Sequence, residues 1–170
     1  GGASSRLTGE VRNSPAVSAQ LNAAVGKAFW NLGNLSLAEQ HLSTALQLYE
    51  RDSGAGASET VKCATDLALV QGVQGNYGSF AQYRQTADAG SAFLGKANPD
   101  VLKLKLLLVQ FQMGTGAWAE IAESATALIA DARTASDRDA QLLASALMVK
   151  GQALVRMGRF TAGEVTLSEA

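Results

Sequence analysis

The chain has one cysteine, one histidine and two prolines in 170 positions, and each scarcity closes a line of explanation. Cys63 alone provides no internal disulfide framework, and Cys63 with His41 falls short of a Cys/His zinc site, which takes four ligands. Neither a metal nor a cofactor is expected. A chain without disulfides suits a reducing compartment, so the expected setting is cytoplasmic. Charge of neither sign predominates: 14 Lys and Arg stand against 15 Asp and Glu, a net charge of −1. With no broad basic surface to neutralise phosphates or anionic lipid, direct binding to nucleic acid or membrane is not expected. No apolar run approaches the roughly 20 residues that cross a bilayer, and the opening "GGASSRLTGE" lacks the apolar centre of a signal peptide. The prolines break nothing. Pro15 follows Ser14 and Pro99 follows Asn98, the pairing of a capping side chain with a first-turn proline at a helix start.

Hydrophobic residues, by contrast, make up 47% of the chain, too many for a disordered polymer and enough for one packed domain. They recur at three- and four-residue spacing, as in Leu21, Val25, Phe29 and Leu32, then Leu35, Ala38, Leu42, Ala45 and Leu46. This is the pattern of amphipathic helices. An all-α chain is expected, with a leading segment 1–14 and helices at 15–32, 36–51, 58–74, 78–94, 99–113, 117–133, 137–157 and 160–170.

Repetition is the strongest feature. Four segments share a glycine, a short gap and a bulky apolar residue: "GNLSLAEQHL" from Gly33, "GNYGSFAQYR" from Gly75, "GAWAEIAESA" from Gly116 and "GRFTAGEVTL" from Gly158, at spacings of 42, 41 and 42. The stretch "QGVQGNYGSF" around Gly75, which alone would pass for a phosphate-cradling loop, is in this register a turn. Seven residues before each glycine stand Gly26, Ala68, Val109 and Gly151. A glycine inside a helix costs about 1 kcal/mol against alanine, so its recurrence predicts a second helix crossing there too closely for a larger side chain. Such regularity marks an array of helix pairs in which each covers its neighbour's apolar face. The units fall at 15–57, 58–98, 99–136 and 137–170 of a single domain.

The segment "AAVGKAFWNLGNLSLAEQHLSTAL", Ala23 to Leu46, resembles the tetratricopeptide repeat. Gly26 takes the place of the small residue of its first helix and Phe29 that of the large one a turn later. Gly33 matches the turn glycine, Leu35 the usual aromatic after it, and Ala38, Leu42 and Ala45 the packing ladder of the second helix. The fourth unit repeats the pattern with Gly151, Leu154, Gly158, Phe160, Gly163, Leu167 and Ala170. Gly75, Tyr77 and Trp118 are the corresponding packing residues of the middle units. The period, longer than the family's usual length of about 34, is similar to that of kinesin light chains and bacterial regulatory proteins. The stretch "SPAVSAQLNAAVGKAFWNLG" resembles the first repeat of arrays attached to bacterial Ser/Thr protein kinases and winged-helix regulators.

The resemblance implies a right-handed superhelix whose first helices line a concave groove that holds a peptide or a helix. Carried over by position, the groove residues are Lys27, Trp30 and Asn31, then Lys62, Asp66 and Leu69, then Lys103, Leu107 and Gln110, and finally Met148, Gln152 and Arg156. This set lacks the ordered lysine and asparagine ladder by which cochaperones hold a C-terminal carboxylate. The middle units depart from the pattern. Phe80 stands where the family has alanine and Arg84 where it has a bulky apolar residue, so the second unit is expected to be splayed or shifted. In "MGTGAW" both Gly114 and Gly116 are open as the turn glycine.

Catalytic chemistry finds little support. "DSGAGASET", Asp52 to Thr60, has glycines and hydroxyls ahead of a helix, but it lacks the GxxxxGK[ST] of a P-loop and reads as a long flexible loop. Cys63 near a helix start is either a thiol of lowered pKa or a small packing residue. His41 has no partner ligands and reads as a partly exposed helix residue. Glu120 with Glu123, and Asp137 with Asp139, fall on charged, solvated faces. Trp118, just after a turn glycine, reads as core; Trp30, pointing toward the inner surface, is either core or contact. The expected function is a non-enzymatic module that binds a protein or peptide as part of a longer regulatory protein. Two alternatives stay open. One is a self-associating scaffold, since no capping helix covers Phe160, Val165 and Leu167. The other is the regulatory tail of a kinase or transcriptional regulator whose active domain lies outside these residues.

Overall fold

The computed structural model describes residues 14–76, 78, 80–135 and 139–170. Among the described residues stand eight α-helices: α1 (Pro15–Asn31), α2 (Leu35–Ser53), α3 (Ser58–Val73), α4 (Phe80–Phe93), α5 (Pro99–Gln112), α6 (Trp118–Arg133), α7 (Ala140–Arg156) and α8 (Phe160–Ser168). They form four successive pairs in an all-α array. Successive first helices touch, α1 to α3, α3 to α5 and α5 to α7, whereas α2, α4 and α6 each lodge between the first helices of their own and the next unit. A layer whose members touch lies inside the curve of one whose members are spread, so α1, α3, α5 and α7 make the inner face.

Local sequence sets the helix ends. Asn34, Asn98 and Asp139 accept hydrogen bonds through their side chains from the amides of Leu37, Asp100 and Leu142, at 3.2, 3.0 and 3.0 Å. Pro15 and Pro99 occupy first turns as the sequence predicts, although Ser14 makes no side-chain cap bond. At Gly33, with φ of 75°, the Asn34 amide donates to Phe29 O and the Gly33 amide to Trp30 O, both at 2.9 Å. The same two bonds close the turns at Gly75 and Gly158. This closure needs a left-handed residue, which glycine supplies without a Cβ clash. In the third unit α5 runs into a 3-10 turn at Met113–Thr115, and Gly116, not Gly114, takes the left-handed conformation.

The outer units close through backbone contact. A Cβ placed on Gly26 would stand 2.7 Å from Leu42 Cγ and 3.2 Å from Ala38 O; one on Gly151 would stand 2.5 Å from Leu167 Cγ and 3.3 Å from Gly163 O. Leu167 and Gly163 follow Gly151 at the same intervals at which Leu42 and Ala38 follow Gly26. Units one and four therefore pack in the same way.

The middle units do not. α3 packs more heavily on α5 than on its own partner α4, and the Phe111 ring of α5 lies against Gly72 of α3. Phe80 is only half-buried, with the Arg84 guanidinium 5.7 Å above its ring. A polar contact also joins α3 to its neighbours. Tyr83 Oη donates to Gln71 Oε1 at 2.6 Å, and Gln71 Nε2 donates to Glu39 Oε1 of α2 at 2.8 Å. The equivalent positions of the first unit, Phe29 and His41, hold an apolar stack with centroids 5.6 Å apart.

Several expectations change. Residues 52–60 form no long flexible loop: α2 continues to Ser53, α3 begins at Ser58, and Thr60 Oγ1 pins the connection by donating to Gly54 O at 2.8 Å. Gly56 approaches α4 so closely that a Cβ would lie 2.6 Å from Ala89 O, which accounts for that glycine without a ligand. Phe160 is 67% exposed and not a packing residue. Its counterpart Leu35 is half-buried against the core because α3 packs on α2, and no described helix packs on α8 from that side. α4 starts at Phe80 and α7 at Ala140, later than the periodicity predicts. Tyr77, Asp137 and the segment 1–13 lie outside the described residues.

Gly26→Leu should lower stability in urea unfolding by about 1–3 kcal/mol through overpacking, while Gly114→Ala, which meets nothing within 4 Å, should stay near neutral. Equal effects of the two would contradict the close crossing.

Candidate functional site

The inner face is built from the exposed sides of α1, α3, α5 and α7, and two ion pairs run across it from one first helix to the next. Lys27 Nζ lies 2.7 Å from Asp66 Oδ2, and Lys62 Nζ lies 3.4 Å from Asp100 Oδ2. The Ser58 hydroxyl donates to that same Asp100 oxygen at 3.2 Å. The hydrogen bond to Asp66 raises the pKa of Lys27, against a smaller opposing effect of burial. Both lysine side chains are more than half exposed, so each pair contributes at most about 1 kcal/mol. Their larger effect is electrical: three of the expected groove residues, Lys27, Lys62 and Asp66, neutralise one another and Asp100.

Apolar groups fill the space between these pairs. Leu69 and Val73, one turn apart on α3, are 41% and 64% exposed. Trp30 is half-buried against the core and shares a small recess of about 30 Å³ with Lys27, Asp66 and Leu69. Met148 on α7 is exposed, as are Asn31, Lys103, Gln110 and Gln152. Arg156 is exposed but engaged, its guanidinium 5.7 Å over the ring of Trp118. Trp118 packs against the cluster of Val109 and Ile121, in keeping with a core role. Leu107 is the exception among the expected groove residues: it is buried, because α5 has α3, α4, α6 and α7 packed around it. Val73 was not singled out by the sequence, though its spacing from Leu69 and its place beside the turn carried the signal.

The remaining chemical candidates are structural. Cys63 is buried on α3, where its thiol donates to Leu42 O at 3.5 Å. Burial, reinforced by the charge of Asp66, pushes its pKa up to about 12, the reverse of an activated thiol. His41 stacks on Phe29 and sets Nδ1 3.0 Å from Asn22 Oδ1. Since the Asn22 amide nitrogen donates to Ser18 O, its oxygen faces the ring, and His41 carries a proton on Nδ1. Glu120 and Glu123 are exposed on α6. Among the described residues no group of three His, Cys, Asp or Glu side chains gathers as a metal site, and no helix is long and apolar enough to cross a membrane.

Paired helices, left-handed turn glycines and a continuous layer of first helices define a tetratricopeptide-like helical repeat fold. Among solved structures the chain is similar to BtubC (BKLC) from P. vanneervenii. The TM-score is 0.82 at 11% identity, over 92% of this chain and 63% of that one. The likeness is one of fold, and the chain spans less than two thirds of BtubC. No family model matches the sequence, and no curated protein does.

Because burial favours the neutral thiol, Cys63 should resist iodoacetamide in native buffer and react once the protein is unfolded in urea. Its contribution to stability is complete below its ordinary pKa of 9.0 and falls as pH rises from there toward about 12. Native alkylation at the rate of free cysteine would contradict this.

Proposed function

We propose that the array is a non-enzymatic protein-interaction module of a larger regulatory protein, and that it holds an apolar-faced partner segment on its inner surface. The observation that carries this reading is the exposure of Leu69 and Val73 side by side, next to Lys27, Lys62 and Asp66, which already pair with one another and with Asp100. Covering exposed apolar surface is favourable. Around this patch the paired charges leave little net attraction for a ligand carboxylate, so the segment that covers it is an apolar stripe of peptide or helix. Helical repeat arrays present such extended faces to proteins, and the reading gives Cys63 and His41 no catalytic part. A second reading, self-association, is favoured by the exposed Phe160 and Val165 of α8.

One experiment separates the two. A partner captured by the wild-type protein, then purified, should lose binding to a Leu69→Asp, Val73→Asp variant whose thermal midpoint is unchanged. Sedimentation of the wild type over a range of concentrations should show a constant mass. Undiminished binding by the variant would overturn the inner-face reading; a mass that grows with concentration and returns to the monomer on Phe160→Ser would establish the second.

A further inference from the structure

In the first two units the residue four before the turn glycine stands opposite the residue eight after it. In the first unit Phe29 meets His41 as a ring stack, and in the second the Tyr83 hydroxyl donates to Gln71 Oε1 at 2.6 Å with the phenol ring buried. In the third unit the same two positions hold Gln112 and Ser124. The glutamine recurs, but its tyrosine does not. Serine lacks both the ring that would fill the space and the reach to deliver a donor, and two consequences are visible. Gln112 Oε1 is buried without a hydrogen-bond partner, the one such side-chain atom among the described residues. Gln112 and Ser124 also line a common cleft of about 450 Å³ between α4, α5 and α6, floored by Leu108 and Leu128. That volume lies in the range of ligand sites, roughly 300–1,000 Å³, and an unmet buried acceptor is unfavourable until a donor arrives.

We propose that this cleft receives a tyrosine side chain from a partner peptide, with the ring occupying the space that Ser124 leaves and the hydroxyl donating to Gln112 Oε1 as Tyr83 does to Gln71. The terminal torsion of a glutamine amide is soft, so turning the oxygen toward the ring costs little. The rim selects further. Asp88, Glu120 and Glu123 stand exposed around the cleft against the single guanidinium of Arg84, while Lys105 is already paired with Asp131 at 2.9 Å. The fitting segment therefore carries basic residues beside an unphosphorylated tyrosine, since a phosphate would face like charge. The cleft lies among α4, α5 and α6 and shares no residue with the Leu69 and Val73 patch, so it stands or falls separately from the inner-face reading.

The test is an NMR titration of the whole chain with the blocked tripeptide Lys-Tyr-Lys, its Phe analogue and its phosphotyrosine analogue. The tyrosine peptide should shift the Gln112 side-chain amide signals, the Phe analogue should bind about tenfold more weakly or worse, and the phosphopeptide should not bind. Ser124→Tyr should restore the pairing of the second unit within the chain, abolishing binding and raising the thermal midpoint. Should that variant fail to fold, Gln112→Leu decides: it should bind the Tyr and Phe peptides alike. Equal binding of both peptides by the wild type, no binding of either, or binding indifferent to both substitutions would overturn the proposal.

Discussion

Two helices can approach only as closely as the smallest side chain between them permits, and the architecture here depends on where that side chain is reduced to hydrogen. At Gly26 and Gly151 a leucine of the paired helix occupies the space that a Cβ would take. These crossings bring the first and second helices of the outer units into backbone contact, and at Gly26 the leucine, Leu42, is buried. Around them Ala38 and Ala45 are fully buried, small enough to keep the helices close. Turn glycines at the end of each first helix then fix the reversal of the chain.

In the middle of the array the same scaffold is assembled from different contacts. Ala68 and Val109 replace the crossing glycines, and glutamine replaces the large apolar residue of the first helix at positions 71 and 112. Buried glutamine must be satisfied or it destabilises its surroundings. Gln71 is satisfied twice, by Tyr83 and by Glu39, and so ties α2, α3 and α4 together. Gln112 has no such partner for its oxygen. The relaxed pairing of α3 with α4 and the unmet Gln112 beside α6 are both departures from the packing of the outer units.

Much of this was legible in the sequence. The period, the turn glycines, the close crossings at Gly26 and Gly151, the proline-started helices and the anomaly at Phe80 all follow from spacing, because helix geometry repeats faithfully when residues of one size recur at one position. What spacing could not supply was how side chains share space across units. Leu107 occupies a groove position by register, yet neighbours on every side bury it. Lys27, Lys62 and Asp66 read as separate recognition groups until their distances showed pairs. The two glycines of "DSGAGASET" suggested a loose loop, although one makes a turn and the other meets the backbone of α4. The Gln112 and Ser124 pair was within reach of an internal alignment, but it falls across "MGTGAW", where two glycines left the register open.

Hydrogen exchange resolved to single helices distinguishes outer units closed by direct helix contact from a loosened second unit. Protection follows the cooperativity of local packing. Amides of α4 should exchange distinctly faster than those of α2 under native conditions, since α2 is locked against α1 at Gly26 and α3 packs more heavily on α5 than on α4. Equal protection of α2 and α4 would contradict it.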